Sequence, residues 1–245
     1  MNDKLAAQKP EKVIDAFKSI GPKALARFFA ILLLVPLILF LSAGKLNWPM
    51  GWVYVGIILV STAVSRIVIA RKNPDLIAER ARFFEGEGIK PWDKLIAATV
   101  ALYGPLIGIV IVGLNVRFAW PPRIPTALQL IALVTFILAN FFIFWAITIN
   151  KFFSAVVRIQ KNRGQSVVTT GPYRYIRHPG YLGGVLGHLS TPVMLNAVWG
   201  LIPGGIIAIT FIVRTALEDR TLKAELDGYQ EYAQKVRYRL LPGVW

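Results

Sequence analysis

Residues 126–150 (TALQLIALVTFILANFFIFWAITIN) contain no charged side chain. As an α-helix this stretch would be about 37 Å long at ~1.5 Å per residue, enough to cross a hydrocarbon core of ~30 Å. Residues 28–44, 49–70 and 95–116 are further apolar runs. The first contains Pro36. The second carries Arg66 near its end, where a long side chain can snorkel to the boundary. A hydrophobic share of 55% and a mean hydropathy of +0.54 exceed what a soluble chain of this length carries. The predicted fold is therefore all-α: a polytopic integral membrane protein.

The charge is unevenly placed. Segments 1–27, 71–94, 151–178 and 214–245 hold six Lys/Arg each, and all 13 acidic residues fall in the same segments. The intervening loops carry only Lys45, Arg117 and Arg123. The positive-inside rule assigns the four basic segments, and with them both termini, to the cytoplasm. The net charge of +15 then reflects topology and anionic headgroups rather than nucleic acid, for which no binding motif is present. With no cysteine, disulfides and thiol chemistry are excluded.

Basic segments flank both ends of the last apolar stretch, Tyr181 to Val213, so the chain must enter and return. Pro192 and Asn196 near its midpoint predict a helical hairpin with arms 180–194 and 197–213, the second interrupted by Pro203-Gly204-Gly205. Each arm is shorter than a full span, which is compatible with a re-entrant hairpin. The total is five to six transmembrane helices. Residues 214–236 read as a separate, mostly polar C-terminal helix. Residues 1–27 read as an uncleaved cytosolic segment, with Val13, Phe17 and Ile20 on one helical face before Gly21-Pro22 breaks it. Three regions result: 1–27, the four spans of 28–150, and a C-terminal region 151–245.

That last region holds the chemistry. The stretch GPYRYIRHPGYLGG (171–184) sets Tyr173, Arg174, Arg177 and His178 just before Pro179, a residue suited to the first helical turn. A helix N-terminus flanked by arginines suits a carboxylate or phosphate. Gly180, Gly183, Gly184 and Gly187 leave nearly one side of that helix bare, open to a flat ligand or to another helix. A second cluster, Arg214, Glu218, Asp219 and Arg220, lies where the hairpin returns to the same boundary, with Arg214 and Glu218 one helical turn apart. It reads either as a ligand-binding carboxylate group or as a solvated helix with a weak ion pair. His178 and His188, ten residues apart with no cysteine, match no compact metal pattern, and no metal is expected. Tyr103, Asn140 and Asn150 are polar residues within spans that either line a pocket or satisfy one another.

The order GPYRYIRHPGYLGG, then Arg214-x-x-x-Glu218-Asp219, then YQEYAQKVRYRLLPG resembles the isoprenylcysteine carboxyl methyltransferase family and the related phospholipid methyltransferases, over roughly residues 166–245. The resemblance implies a helical membrane enzyme whose S-adenosyl-L-methionine pocket faces the cytoplasm, with a lipophilic acceptor arriving from the bilayer. It matches Arg177, His178, Pro179, Tyr181 and Gly183 to the family's RHPxYxG element and Glu218 to the first of its acidic pair. Asp219 stands where the family usually has a longer glutamate. On that basis the cofactor-binding residues are Tyr173, Arg177, His178, Pro179, Tyr181, Leu182, Gly183, Glu218 and Asp219, and the glycines let the cofactor lie against the helix. Methyl transfer is a displacement in which positioning and desolvation dominate. An acceptor carboxylate is already ionised at neutral pH and needs only an orienting cation, the role expected of Arg214, with Glu218 beside it. The tail VRYRLLPG also resembles that of membrane sterol reductases, in which the pocket serves NADPH; here Arg237 and Arg239 are the only further cations for its phosphate. A membrane scaffold without catalysis is the third reading.

Overall fold

The computed structural model describes residues 22–81 and 88–245. The face expected of Val13, Phe17 and Ile20 lies outside them. The elements are α1 (Pro22–Ala43), α2 (Pro49–Lys72), α3 (Pro74–Ala81), α4 (Pro91–Phe118), α5 (Thr126–Ile149), α6 (Pro179–Met194), α7 (Leu201–Glu225) and α8 (Tyr229–Lys235). Among the described residues there is no strand, as an all-α membrane protein requires. Four helices are long and apolar enough to cross a membrane: α2, α4, α5, and Val198–Glu225, which is α7 with the turn before it. Proline opens α2, α4 and α6, where its missing N–H removes no helical hydrogen bond. Pro36 lies inside α1, and a π turn at Thr99–Tyr103 lies inside α4.

The hairpin exists, but its second arm differs from the sequence expectation. The arm at 197–213 and the polar helix at 214–236 are largely one helix, α7. Pro203 falls in the first turn of α7, where its N–H would be unpaired anyway, so it interrupts nothing. Gly204 allows close approach: a Cβ there would stand 2.7 Å from the carbonyl oxygen of His188. The break comes later, at Gly228, whose φ of 77° suits glycine.

The hairpin also reaches the far end of the bundle instead of turning back midway. Asn196, with φ 55° at its tip, accepts a hydrogen bond from the backbone N–H of Ile124 (2.7 Å), in the loop between α4 and α5. Asn115 near the end of α4 accepts one from the N–H of Trp199 (3.1 Å). Met194, Leu195 and Ala197 are buried with Leu39, Phe40, Val112 and Phe136 in the largest core cluster, at that same end.

The glycine face of α6 packs against α5. A Cβ on Gly183 would stand 2.6 Å from Ile143 and 2.7 Å from the carbonyl oxygen of Ala139, and one on Gly184 would meet the Phe211 ring of α7 at 2.7 Å. Helix packing, not a flat ligand, therefore accounts for these two glycines. The opposite end of the bundle gathers the start of α4, segment 151–178, the start of α6, the end of α7 and the C-terminal tail.

Candidate functional site

At that basic end α6 begins directly after His178, and the chain's last residues fold back onto its entry. The backbone N–H groups of Arg177 and His178 donate to the carbonyls of Tyr238 (3.0 Å) and Arg239 (2.9 Å). Asp219, 1% exposed on α7, is the centre beneath them. Arg177 donates to both of its oxygens (2.7 and 3.0 Å) and, through Nη1, to the carbonyls of Val236 and Arg237. Arg239 and Tyr229 donate to it at 3.0 Å, Lys223 lies 3.1 Å away, and His178 Nε2 lies 3.7 Å away. Burial first, then the Asp219 charge, holds the Tyr229 phenol well above its usual range, so it remains a donor.

Above this cluster opens a cleft of about 810 Å³, mouth included. One wall is Tyr173, His178, Gly180 and Tyr181; another is Glu218, Leu222, Leu226 and Tyr229 on α7 and beyond; the third is segment 150–168. Tyr181 donates its hydroxyl to Glu218 Oε2, and its ring stacks with His178 at 5.6 Å. The other Glu218 oxygen makes no hydrogen bond among the described residues. Tyr173 is fixed by Asn150, which donates to its hydroxyl (3.2 Å), and Tyr232 donates to its carbonyl (2.7 Å).

The predicted residues therefore separate. Tyr173, Arg177, His178, Tyr181 and Glu218 line the cleft together. Pro179, Leu182, Gly183, Asp219 and Arg214 do not line it. Arg177 lines it with four of its five N–H donors already engaged, so the expected anion grip by a free arginine is not built. Asp219 faces the ion cluster. Arg214, expected to offer its fork to an acceptor carboxylate, gives it instead to Asp93 (2.7 and 2.8 Å) and to the carbonyl of Ala155 (2.9 Å). Its guanidinium lies 5.3 Å over the Tyr181 ring, so it backs the cleft wall from behind. Arg220 is exposed.

Sequence reasoning missed Asp93. It is fully buried and also accepts from the N–H of Val157 (2.6 Å), tying the start of α4 to segment 151–160. The available signal was an acid in the first turn of an apolar span, a costly position without a partner. It also missed Arg158, paired with Glu79 at 2.8–2.9 Å on the cleft's edge, and the cleft-facing Tyr229 and Tyr232. Among the described residues no group of metal-ligating side chains assembles.

Residues 130–224 match the model of the isoprenylcysteine carboxyl methyltransferase (ICMT) family, an interval that runs from the second turn of α5 through α6 to one residue before the end of α7. A probable protein-S-isoprenylcysteine O-methyltransferase of Oryza sativa subsp. indica is 30% identical over 92 residues, 37% of this chain and 48% of that protein. Protein-S-isoprenylcysteine O-methyltransferase B of Arabidopsis thaliana is 32% identical over 92 residues, 37% of this chain and 47% of that protein. The protein-S-isoprenylcysteine O-methyltransferase of Schizosaccharomyces pombe is 34% identical over 86 residues, 34% of this chain and 36% of that protein. The match thus spans about half the length of the plant relatives and about a third of the yeast one.

Proposed function

We propose, for a chain that is isoprenylcysteine carboxyl methyltransferase-like over residues 130–224, that it is an S-adenosyl-L-methionine-dependent membrane methyltransferase acting on the carboxylate of an isoprenylcysteine-like or other lipid acceptor. The cleft faces the cytoplasm, as the basic segments around it indicate, and the acceptor enters from the bilayer. The observation that carries the reading is the charge of the wall. Its acidic side chain is Glu218, with one oxygen unengaged, amid the rings of Tyr173, Tyr181, Tyr229 and Tyr232. Its two arginines are each already forked onto a carboxylate, Arg158 onto Glu79 and Arg177 onto Asp219. Such a wall suits a ligand bearing positive charge and hydroxyls, and it suits a run of phosphates poorly.

S-adenosyl-L-methionine supplies, when bound, a methyl group on a sulfonium sulfur open to in-line displacement. Glu218 accepts from an ammonium or from ribose hydroxyls, with Tyr181 fixing its carboxylate. His178 and Tyr173 border the ligand, and the Asp219 cluster holds the segment that carries them. The Asp93–Arg214 pair keeps Tyr181 in place. Pro179, Leu182 and Gly183 act by setting the course of α6. The chain excludes water and aligns the reactants, and a carboxylate acceptor needs no base. The reductase alternative relied on Arg237 and Arg239 for a further phosphate, yet Arg239 is committed to Asp219 and lies 4.8 Å from the Trp245 ring.

The test is calorimetry on the purified full chain with S-adenosylmethionine, S-adenosylhomocysteine and NADPH. Saturable binding of the first two, weakened at least about tenfold (~1.4 kcal/mol) by Glu218→Gln with the melting temperature unchanged, is the expected result. Binding of NADPH alone overturns the reading, and a Glu218→Gln protein that binds like the parent misplaces the pocket.

A further inference from the structure

A second cavity, about 660 Å³ with its mouth, lies deeper in the bundle, enclosed by α2, α4, α5, α6 and α7. Most of its wall is glycine, valine, isoleucine, proline and Phe136, as expected of a void between apolar helices. Four side chains break that pattern, Tyr54, Asn140, His188 and Thr191, and Thr191 already donates its hydroxyl to the carbonyl of Gly187 (2.8 Å). Tyr54 is 7% exposed, and its hydroxyl makes no hydrogen bond among the described residues. His188 lies on α6 with its ring 6.1 Å from Phe211, and its nitrogens likewise make none among the described residues. Asn140, also on the wall, donates to the carbonyl of Phe136 (2.9 Å) and has an amide hydrogen to spare.

No fully enclosed polar side-chain atom among the described residues lacks a partner. The polar atoms of Tyr54 and His188 are therefore not fully enclosed, and both residues line this cavity. Unsatisfied polar groups at bilayer depth cost free energy unless something meets them, and an apolar pocket with a few convergent polar groups is the usual form of a small-molecule site. The cavity is also one ring away from the cleft. His178, Tyr181, Phe211 and His188 follow one another at centroid distances of 5.6, 5.4 and 6.1 Å. Tyr181 lines the cleft, His188 lines the deep cavity, and Phe211 lines neither. It is the partition between them.

We propose that the deep cavity binds a lipid chain that carries a hydrogen-bonding group, a hydroxyl or carbonyl, recognised by Tyr54 and His188. The chain occupies the apolar wall and its oxygen meets the two unsatisfied side chains. A pure hydrocarbon chain would leave them unmet, so the site discriminates by polarity rather than by length. The inference rests on the cavity and not on methyl transfer.

The test compares radiolabelled 1-dodecanol with radiolabelled dodecane on the full chain in nanodiscs, with empty discs subtracted and affinities expressed per mole fraction in the bilayer. The expected result is a preference for the alcohol of at least about tenfold, falling to near parity in His188→Phe and reduced in Tyr54→Phe. Both variants should melt with the parent and keep its S-adenosylmethionine titration, which is read on the same samples. That titration separates the two readings: loss of cofactor binding with the alcohol preference intact overturns methyl transfer and leaves this site standing. Equal affinity for alcohol and alkane, no saturable binding of the alcohol because water alone meets the polar groups, or a preference that survives both substitutions overturns the proposal.

Discussion

Replacing Asp219 by alanine tests whether the second acid of the pair acts on a ligand or on the scaffold. In the folded protein this carboxylate receives Arg177 at 2.7 and 3.0 Å, Arg239 and Tyr229 at 3.0 Å, and Lys223 at 3.1 Å. The Arg239 and Lys223 side chains are 29% and 38% exposed and can turn to water; the Arg177 side chain, 4% exposed, cannot. Only the Arg177 pair is therefore counted, and breaking one buried pair by removing one partner costs ~3–5 kcal/mol. At roughly 2–4 °C per kcal/mol for a chain of this size, the melting midpoint should fall by about 6–20 °C. The assay is a melt followed by tryptophan fluorescence in detergent, with and without S-adenosylmethionine, run beside Glu218→Gln, which should melt within about 2 °C of the parent because Glu218 is half-buried and gives up only one hydrogen bond. Adding Arg177→Leu to Asp219→Ala should recover part of the loss, since the stranded charge is then gone. An Asp219→Ala protein that melts with the parent yet no longer binds the cofactor would refute the scaffold argument.

Other consequences are equally direct. Asp93→Ala strands Arg214 and should cost a comparable ~3–5 kcal/mol, whereas Asp93→Ala with Arg214→Leu should be less destabilised than Asp93→Ala alone; a double variant that melts lower than the single would refute the pairing. Gly183→Ala drives a Cβ into Ile143 and the Ala139 carbonyl and should destabilise by about 1–3 kcal/mol, while Gly205→Ala, with nothing within 4 Å, should be neutral or slightly stabilising; a Gly183→Ala protein of parental stability that no longer binds cofactor would mean that α6 lies against the ligand instead of α5. Tyr173, Tyr229 and Tyr232 have phenols held above their usual range chiefly by burial. The unfolded chain therefore loses protons first as pH rises past about 10, so stability should decline above that pH, and Tyr229→Phe should flatten the decline; an unchanged slope would argue against a buried phenol.

The all-α membrane class and the long apolar helices were legible in one dimension, because a bilayer writes its spans as apolar length, although among the described residues four helices are long and apolar enough to cross where five to six were expected. The runs at 49–70, 95–116 and 126–150 became α2, α4 and α5 within a few residues. The hairpin followed from basic segments at both of its ends, and Pro179 did open α6. Its second arm misled because proline in a first turn and proline within a helix look alike until the turn is placed. The motif residues Tyr173, Arg177, His178, Tyr181 and Glu218 were identified, and they do share one cleft. What each one does there was not legible. Arg177, Asp219 and Arg214 are the strongest charges in those motifs, and each is spent on a partner distant in sequence: Asp219 on Arg177, 42 residues away, and Arg214 on Asp93, 121 residues away. Sequence reveals which groups carry charge, because charge is a property of the residue. Whether a charge is available to a ligand is a property of its neighbours, and only the tertiary structure, by bringing α4 and the C-terminal tail onto the hairpin, decided that the arginines are engaged and that one oxygen of Glu218 is left unengaged in the cleft.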